Sequence, residues 1–378
     1  MRSLPIAWFV SSHGFGHAAR SCAVMEAAFA QDPGVEFHVF SSVPPWFFRD
    51  SLSAPYTLHP EEVDPGLVQR TAVEEDLAAS LLLARETLDQ ARVRAPDLAE
   101  MLSSLGCRGA VADISPLGVE AGRSAGIPTV MLDNFTWDQA FRGFAERDPM
   151  AGSEWTELGH MFGELGAAVD LRIRAEPSVP LARDGSRSGA PVVSVPPIAR
   201  PARTDRHLTR RAIGVPEDIP LILITLGGVG GAVPRLEQLE RYRGLFFVVP
   251  GMPEWGFGPN SLLLPTRSGY YHPDLVAAAD AVAGKLGYST LAECHLSNTP
   301  YAYFPRPGFV EAPFLAAWLE DRGLGAPLPA ESLQDGGWMD EIRSVLEAGP
   351  PSIGQDPVSG AGEAARLILE LARAPSPP

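Results

Sequence analysis

Three glycine-rich turns hold most of the residues that could do chemistry. The first, Ser11-Ser12-His13-Gly14-Phe15-Gly16-His17, follows an apolar run and opens an Ala-rich helical stretch. Glycine lets backbone approach a bound group closely, and the free N–H groups of a helix start attract an anion or a polar oxygen. His17 stands at the mouth of that helix. The alternative is a tight strand-to-helix turn, and the dinucleotide fingerprint G-x-G-x-x-G is not completed, because position 19 is alanine. The second turn, Thr225 to Ala232, places four glycines in five positions, including Gly228, Gly230 and Gly231. That is more than a turn needs and suits close packing against a ligand. It is not a P-loop, since no Gly-Lys-Ser/Thr follows.

The third turn runs Gly284-Lys285-Leu286-Gly287-Tyr288-Ser289-Thr290 and leads to Glu293. Gly287 precedes a helix whose first residues, Ser289 and Thr290, offer hydroxyls and N–H groups, a good cradle for phosphate. Thr290-x-x-Glu293 reads as a capping box, or Glu293 supplies a carboxylate that accepts both vicinal hydroxyls of a ribose. Lys285 is the single lysine among 30 basic residues. It is either a ligand in this turn or the survivor of an arginine-biased composition.

The elements that must position these turns alternate. Strands are expected at Ile6–Ser11, Glu36–Ser41, Gly109–Asp113, Pro128–Leu132, Leu221–Leu226, Leu245–Val249, Ala281–Ala283 and Tyr301–Phe304. Helices are expected at His17–Ala30, Val73–Ala95 (ended or kinked by Pro96), Leu117–Ala125, Arg235–Tyr242, Pro273–Ala279, Ser289–Leu296 and Glu363–Ala372. This rhythm predicts an α/β protein with mostly parallel sheets, in which ligands bind at the carboxyl ends of the strands. A Pro-, Gly-, Arg- and Ser-rich stretch from Pro177 to Thr204 interrupts it and reads as an interdomain hinge, with one short strand at Val192–Val195. The expected organisation is two doubly wound Rossmann-like domains facing across a cleft, residues 1–190 and 191–362. A helix and tail, 363–378, then lie free to pack back on the first domain, and the final A-P-S-P-P reads as disordered.

At ~150 residues per domain, 378 residues accommodate that plan. The 46 acidic and 30 basic residues leave a net charge of −16, which argues against a nucleic-acid binder. Cys22, Cys107 and Cys294 are too scattered for a metal site or a disulfide framework and fit a reducing compartment. The apolar start is too short for a signal h-region, and no stretch of ~18 apolar residues spans a membrane. A cytoplasmic location is expected, with peripheral attachment to a membrane surface left open.

The three turns, in this order and spacing, resemble those of GT-B nucleotide-sugar glycosyltransferases, especially the branch of the bacterial cell-wall N-acetylglucosaminyltransferase. H-G-F-G-H-A-A-R and A-D-I-S-P-L-G…G-I-P-T-V-M-L-D-N-F-T-W-D are similar to the glycosyltransferase-like half of arabinokinase-type proteins. The resemblance covers roughly residues 5–320 and is most specific in G-Y-S-T-L-A-E…N-T-P-Y-A-Y-F-P-R-P-G-F-V-E. It implies an inverting transfer from a nucleoside-diphosphate sugar, UDP by family default, held in the C-terminal domain, to an acceptor of unknown class in the N-terminal domain.

By that resemblance, Gly228, Gly230 and Gly231 approach the diphosphate, Ser289 and Thr290 bind phosphate oxygens, and Glu293 binds the ribose. Lys285 and Gly287 join them in the diphosphate turn. Tyr271-His272-Pro273 presents backbone to the base. Glu311 reads the donor sugar, or is an acid at a helix start beside Pro313. His17 is the candidate general base. Asp113 either orients it or serves a cap or Asx turn. On the acceptor side stand His13, Gly14, Phe15 and Gly16, with Phe15 where relatives often carry a third glycine. Trp46, in an aromatic loop after the second strand, is a stacking platform or core. Asn134 and Trp137 line the cleft after another strand, or Thr136 merely caps a helix. No Asp-x-Asp motif occurs, so no metal and no further cofactor are expected. A nucleotide-sugar hydrolase or epimerase and a non-catalytic nucleotide-sugar-binding module are the competing functions.

Overall fold

A computed structural model describes residues 3–70, 75–181, 189–225, 236–329, 337–350 and 357–374. Gly228, Gly230 and Gly231, and the end of the chain from Pro375, lie outside the described residues.

The first half runs β1 (Leu4–Val10), α1 (Gly16–Gln31), β2 (Val35–Phe40), α2 (Pro45–Ser51), β3 (Tyr56–His59), α3 (Leu77–Ser104), β4 (Gly109–Asp113), α4 (Pro116–Ser124), β5 (Thr129–Asp133), α5 (Trp137–Arg147), α6 (Gly152–Ala167), β6 (Leu171–Ala175) and β7 (Val192–Val195). Its seven strands form one parallel sheet in the order β3-β2-β1-β4-β5-β6-β7. Strands covered on both faces must be apolar along their length, and β4 and β5 are buried at every position.

The second half runs α7 (Arg206–Ala212), β8 (Leu221–Thr225), α8 (Leu236–Leu239), β9 (Phe246–Met252), β10 (Gly256–Gly258), β11 (Ser261–Pro265), α9 (His272–Ala278), β12 (Ala281–Lys285), α10 (Tyr288–Ser297), β13 (Tyr301–Phe304), α11 (Ala312–Asp321), β14 (Gly325–Pro327), α12 (Met339–Ala348) and α13 (Ala361–Arg373). Its sheet is ordered β10-β11-β9-β8-β12-β13-β14, with β10 antiparallel to β11. In both sheets the order reverses beside the first strand, between β1 and β4 and between β8 and β12. Those switch points are where an open α/β sheet has a crevice for a ligand.

Four expectations are corrected. Val192–Val195 pairs with β6 and closes the first sheet, so that sheet extends beyond residue 190. Pro96 does not end α3, which continues to Ser104. Burial of Leu98, Ala99 and Leu102 beyond it offsets the ~3 kcal/mol that an interior proline costs. The aromatic stretch after β2 is a helix, α2, started by Pro45 in its first turn. The hinge is not a free linker. Ile198, Ala199 and Arg200 are buried, and the Ile198 N–H donates to the Tyr288 hydroxyl at 3.0 Å.

The last helix returns to the first half. Gln31 Nε2 donates to the Gly362 carbonyl at 2.8 Å and Arg373 pairs with Asp32 at 2.5 Å. Among the described glycines, backbone approach is tightest where β12 meets β8: a Cβ added at Gly284 would stand 2.1 Å from the Thr225 carbonyl oxygen. Gly284→Ala should therefore force the two strands apart and cost about 1–3 kcal/mol of stability, read as a lower midpoint in urea unfolding. An unchanged midpoint would contradict this packing.

Candidate functional site

The two switch points face each other across a cleft of about 770 Å³ lined by both halves. On the N-terminal wall the first glycine turn curls into α1. Gly14 has φ +77°, a left-handed conformation that favours glycine. Phe15 makes an aromatic wall. Its ring stacks on Phe47 at 5.0 Å and meets Trp46 edge-on at 5.4 Å. Trp46 and Phe47 line the cleft while Phe47 and Phe48 are buried in the core, so α2 serves both roles at once. Gly16 and Ser289 pack closely enough that a Cβ on Gly16 would touch the Ser289 side chain at 3.6 Å. The N-termini of α1 and α10 therefore meet in the cleft.

His17 is held from behind. Asp113, fully buried at the end of β4, accepts from His17 Nδ1 at 2.7 Å. A carboxylate can only accept, so in this contact Nδ1 carries the proton. Asp113 also accepts from Ser21 Oγ at 2.9 Å and from Arg20, whose Nε lies 3.1 Å from Oδ2. Burial alone would raise this carboxyl, but the charges of Arg20 and His17 and their hydrogen bonds hold it down at about 2. The chain of bonds continues: Arg20 Nη1 donates to Asn134 Oδ1 at 2.6 Å, and Asn134 Nδ2 donates to Glu311 Oε2. His13 accepts the Leu67 N–H on Nδ1 at 3.2 Å, and burial with the nearby cations lowers its pKa to about 3, so it is a neutral imidazole in the cleft.

Across the cleft, α10 begins after Gly287, which is its N-cap. Thr290 is therefore inside the helix and forms no capping box with Glu293. Instead Glu293, 2% exposed, accepts from Arg200 Nη2 at 2.9 Å on one oxygen and from His272 Nδ1 at 2.7 Å on the other. Burial opposes its charge, and Arg200 and His272 outweigh that and lower its pKa. Arg200 reaches on to Ser51 Oγ at 2.9 Å and lies over the rings of Phe47 and Tyr271.

Most of the expected residues share this one cleft: His13 to His17, Trp46, Asn134, Tyr271, His272, Lys285, Gly287, Ser289, Thr290, Glu293 and Glu311 all line it. Asp113 stands behind His17. Trp137 is corrected: it is buried, stacked on Phe141 at 5.7 Å, and supports the wall from behind. Arg20, Arg200 and Arg306 were not anticipated. Arg20 had a signal, since it lies three residues after His17 and so shares its helix face. Arg200 and Arg306 meet their neighbours only in three dimensions. The cleft is lined by Arg20, Arg49, Arg200, Arg203, Lys285 and Arg306 against Asp50, Glu293 and Glu311, which inverts the acidic balance of the whole chain. Among the described residues, no cluster of three His, Cys, Asp or Glu is placed to hold a metal, and no helix is long and apolar enough to cross a membrane.

No family model matches the chain. It is 28% identical over 377 residues to L-arabinokinase of Arabidopsis thaliana, an alignment that covers 98% of this chain but 35% of that protein. The chain thus spans about a third of that relative's length. It is 26% identical over 274 residues to an uncharacterized glycosyltransferase of Methanopyrus kandleri, covering 70% of this chain and 75% of that one. Among solved structures, UGT2 of Phytolacca americana, complexed with UDP-2-fluoro-glucose and pterostilbene, superposes with a TM-score of 0.60 at 12% identity, covering 98% of this chain and all of the other. The chain has the GT-B fold, the two-domain α/β architecture of glycosyltransferases.

Asp113 carries a pH prediction. Its folded pKa, about 2, lies below the unfolded ~3.9. The stability it contributes is therefore complete above about pH 4 and is lost as pH falls through about 2. Asp113→Asn should cost about 3–5 kcal/mol at neutral pH, because Arg20 stays buried without its counter-charge. In urea unfolding series the gap between wild type and variant should narrow from pH 5 towards pH 2. A gap independent of pH would rule out the ion pair.

Proposed function

We propose that this chain is a glycosyltransferase. It moves a sugar from a nucleoside-diphosphate sugar, with UDP as the nucleotide, to a nucleophile of an acceptor in the N-terminal half, by metal-independent inverting displacement. The observation that carries this reading is that the carboxylate-backed His17 and the N-terminus of α10 with Glu293 open into one cleft from opposite domains. The relatives and structural neighbours point the same way.

In this reading the backbone at Tyr271-His272-Pro273 edges the base, and Glu293 accepts from the ribose hydroxyls with the lone pairs that Arg200 and His272 leave free. The diphosphate rests on the N–H groups and hydroxyls at Gly287, Ser289 and Thr290. Glu311 faces the sugar. An acceptor hydroxyl attacks the anomeric carbon and its proton passes to His17 Nε2, while the bond from that carbon to the β-phosphate oxygen breaks and the nucleoside diphosphate departs. Asp113 stabilises the imidazolium that forms, and the helix terminus balances the charge that develops on the leaving group. The buried free thiols of Cys22, Cys107 and Cys294 suit work in the reducing cytoplasm. A second reading follows from the fact that the whole chain aligns to about a third of a sugar kinase: a nucleotide-sugar-binding half without turnover of its own.

UDP should raise the melting temperature of the wild type; Glu293→Gln should lower the ligand-free melting temperature, because Arg200 stays buried without its counter-charge, and should largely abolish the rise that UDP gives. UDP binding equal to wild type in this variant would remove the ribose assignment. His17→Ala should lower turnover by about 10²–10⁴-fold while UDP binding persists; retained turnover removes the base role. Wild-type turnover should survive EDTA. A chain that binds UDP-sugar but consumes none with any acceptor, or in water, supports the second reading.

A further inference from the structure

One corner of the cleft has no task in that mechanism. Lys285 ends β12, and Arg306 follows β13 in F-P-R-P-G; both side chains line the cleft. Arg306 is only 5% exposed. Its guanidinium lies over the Phe309 ring at 3.8 Å, and its Nε has no hydrogen-bond partner. Neither the Arg306 guanidinium nor the Lys285 ammonium forms a hydrogen bond or an ion pair among the described residues. The two cations lie within electrostatic reach of each other; both feel the cleft carboxylate Glu311, which is engaged by Asn134, and Arg306 also feels Glu75, which is paired with Arg147. Burial and the neighbouring guanidinium lower the Lys285 pKa to about 8, which leaves it mostly charged at neutral pH. Two partly buried cations with one shared carboxylate are a costly arrangement unless a further anion completes it.

The position of the pair says which part of a substrate would bring that anion. Phe309, beneath Arg306, meets Phe135 at 6.0 Å, and Phe135 meets His17 at 6.2 Å. Glu311 joins His17 through Asn134, Arg20 and Asp113. The pair therefore belongs to the His17 side of the cleft, where the sugar is attacked. The diphosphate already has the N–H groups and hydroxyls at the start of α10. A neutral hexose would leave both cations unpaired, whereas a carboxylate accepts two parallel bonds from a guanidinium and a third from an ammonium.

We propose that Lys285 and Arg306 form a carboxylate-reading subsite, and that the transferred sugar is a hexuronic acid. This inference rests on the donor reading above and moves Lys285 from the diphosphate to the sugar. It is tested by calorimetric titration of UDP, UDP-glucose and UDP-glucuronate into wild type, Arg306→Gln and Lys285→Met. Wild type should bind UDP-glucuronate about tenfold or more tighter than UDP-glucose. Each variant should lose most of that preference while its affinity for UDP stays within about twofold of wild type. Equal binding of the two sugars by wild type overturns the subsite and leaves the donor reading standing. A large loss of UDP affinity in either variant assigns the pair to the diphosphate and also overturns it. Failure of all three ligands to bind wild type overturns both readings.

Discussion

The site depends on one buried cation. Arg20 is almost fully enclosed, and a guanidinium taken out of water must find partners for its donors. It finds them in every direction: the Asp113 carboxylate behind it, Asn134 beside it, and the ring of Tyr288 from the second half at 5.4 Å. Each partner holds something else. Asp113 fixes the tautomer of His17, Asn134 reaches Glu311, and Tyr288 ties the linker through Ile198 and the Glu176 carbonyl at 3.1 Å. The charge that is costly to bury thus positions His17, Glu311 and the junction between the halves. It can do so only because α1 and α10 present their N-termini to the same cleft.

The architecture was legible because strands buried on both faces must be apolar throughout, and the helices between them break that pattern at regular intervals. The misreadings share a physical cause. Local rules were overruled by burial at Pro96, where the helix continues because Leu98, Ala99 and Leu102 pack into the core. The same holds at Pro45–Ser51, where a proline in the first turn and the burial of Phe47 and Phe48 make a helix of an apparent loop. At Val192–Val195 a strand read as part of the hinge joins the first sheet, because pairing with β6 is a long-range choice that periodicity does not encode.

The site was legible to the extent that it sits on turns. Glycines after strands, His17 at a helix mouth and Glu293 behind Ser289-Thr290 are local patterns, and they converge on one cleft. The arginines were not legible, and composition explains why. In a chain whose basic residues are arginine at every position but one, an arginine carries little signal of its own. Arg200 and Arg306 acquire meaning only from what surrounds them, a bonded carboxylate in one case and an aromatic ring beneath an unpartnered Nε in the other. Trp137 shows the converse: a conspicuous residue next to a strand end that the core claims because its ring stacks on Phe141.

Glu293 shows how the two halves are coupled through the candidate donor site. One of its oxygens receives two donors of Arg200, and the same guanidinium reaches Ser51 in the first half. Arg203, in the same linker, donates to the carbonyls of Asp50 and Ser51 at 2.7 Å and lies 4.1 Å over Tyr271. The other Glu293 oxygen is held by His272, next to Tyr271 in sequence. The orientation of the carboxylate, and of the segment before α9, is therefore set partly by residues of the N-terminal half. A ligand that engages Glu293 meets a group whose lone pairs are already aimed by the closed arrangement of the domains. Separating the halves would take Arg200 and Arg203 away from Asp50 and Ser51, or away from Glu293 and Tyr271. In either case the cost falls on the contacts that shape the cleft. Closure and the geometry of this wall are consequences of the same two arginines.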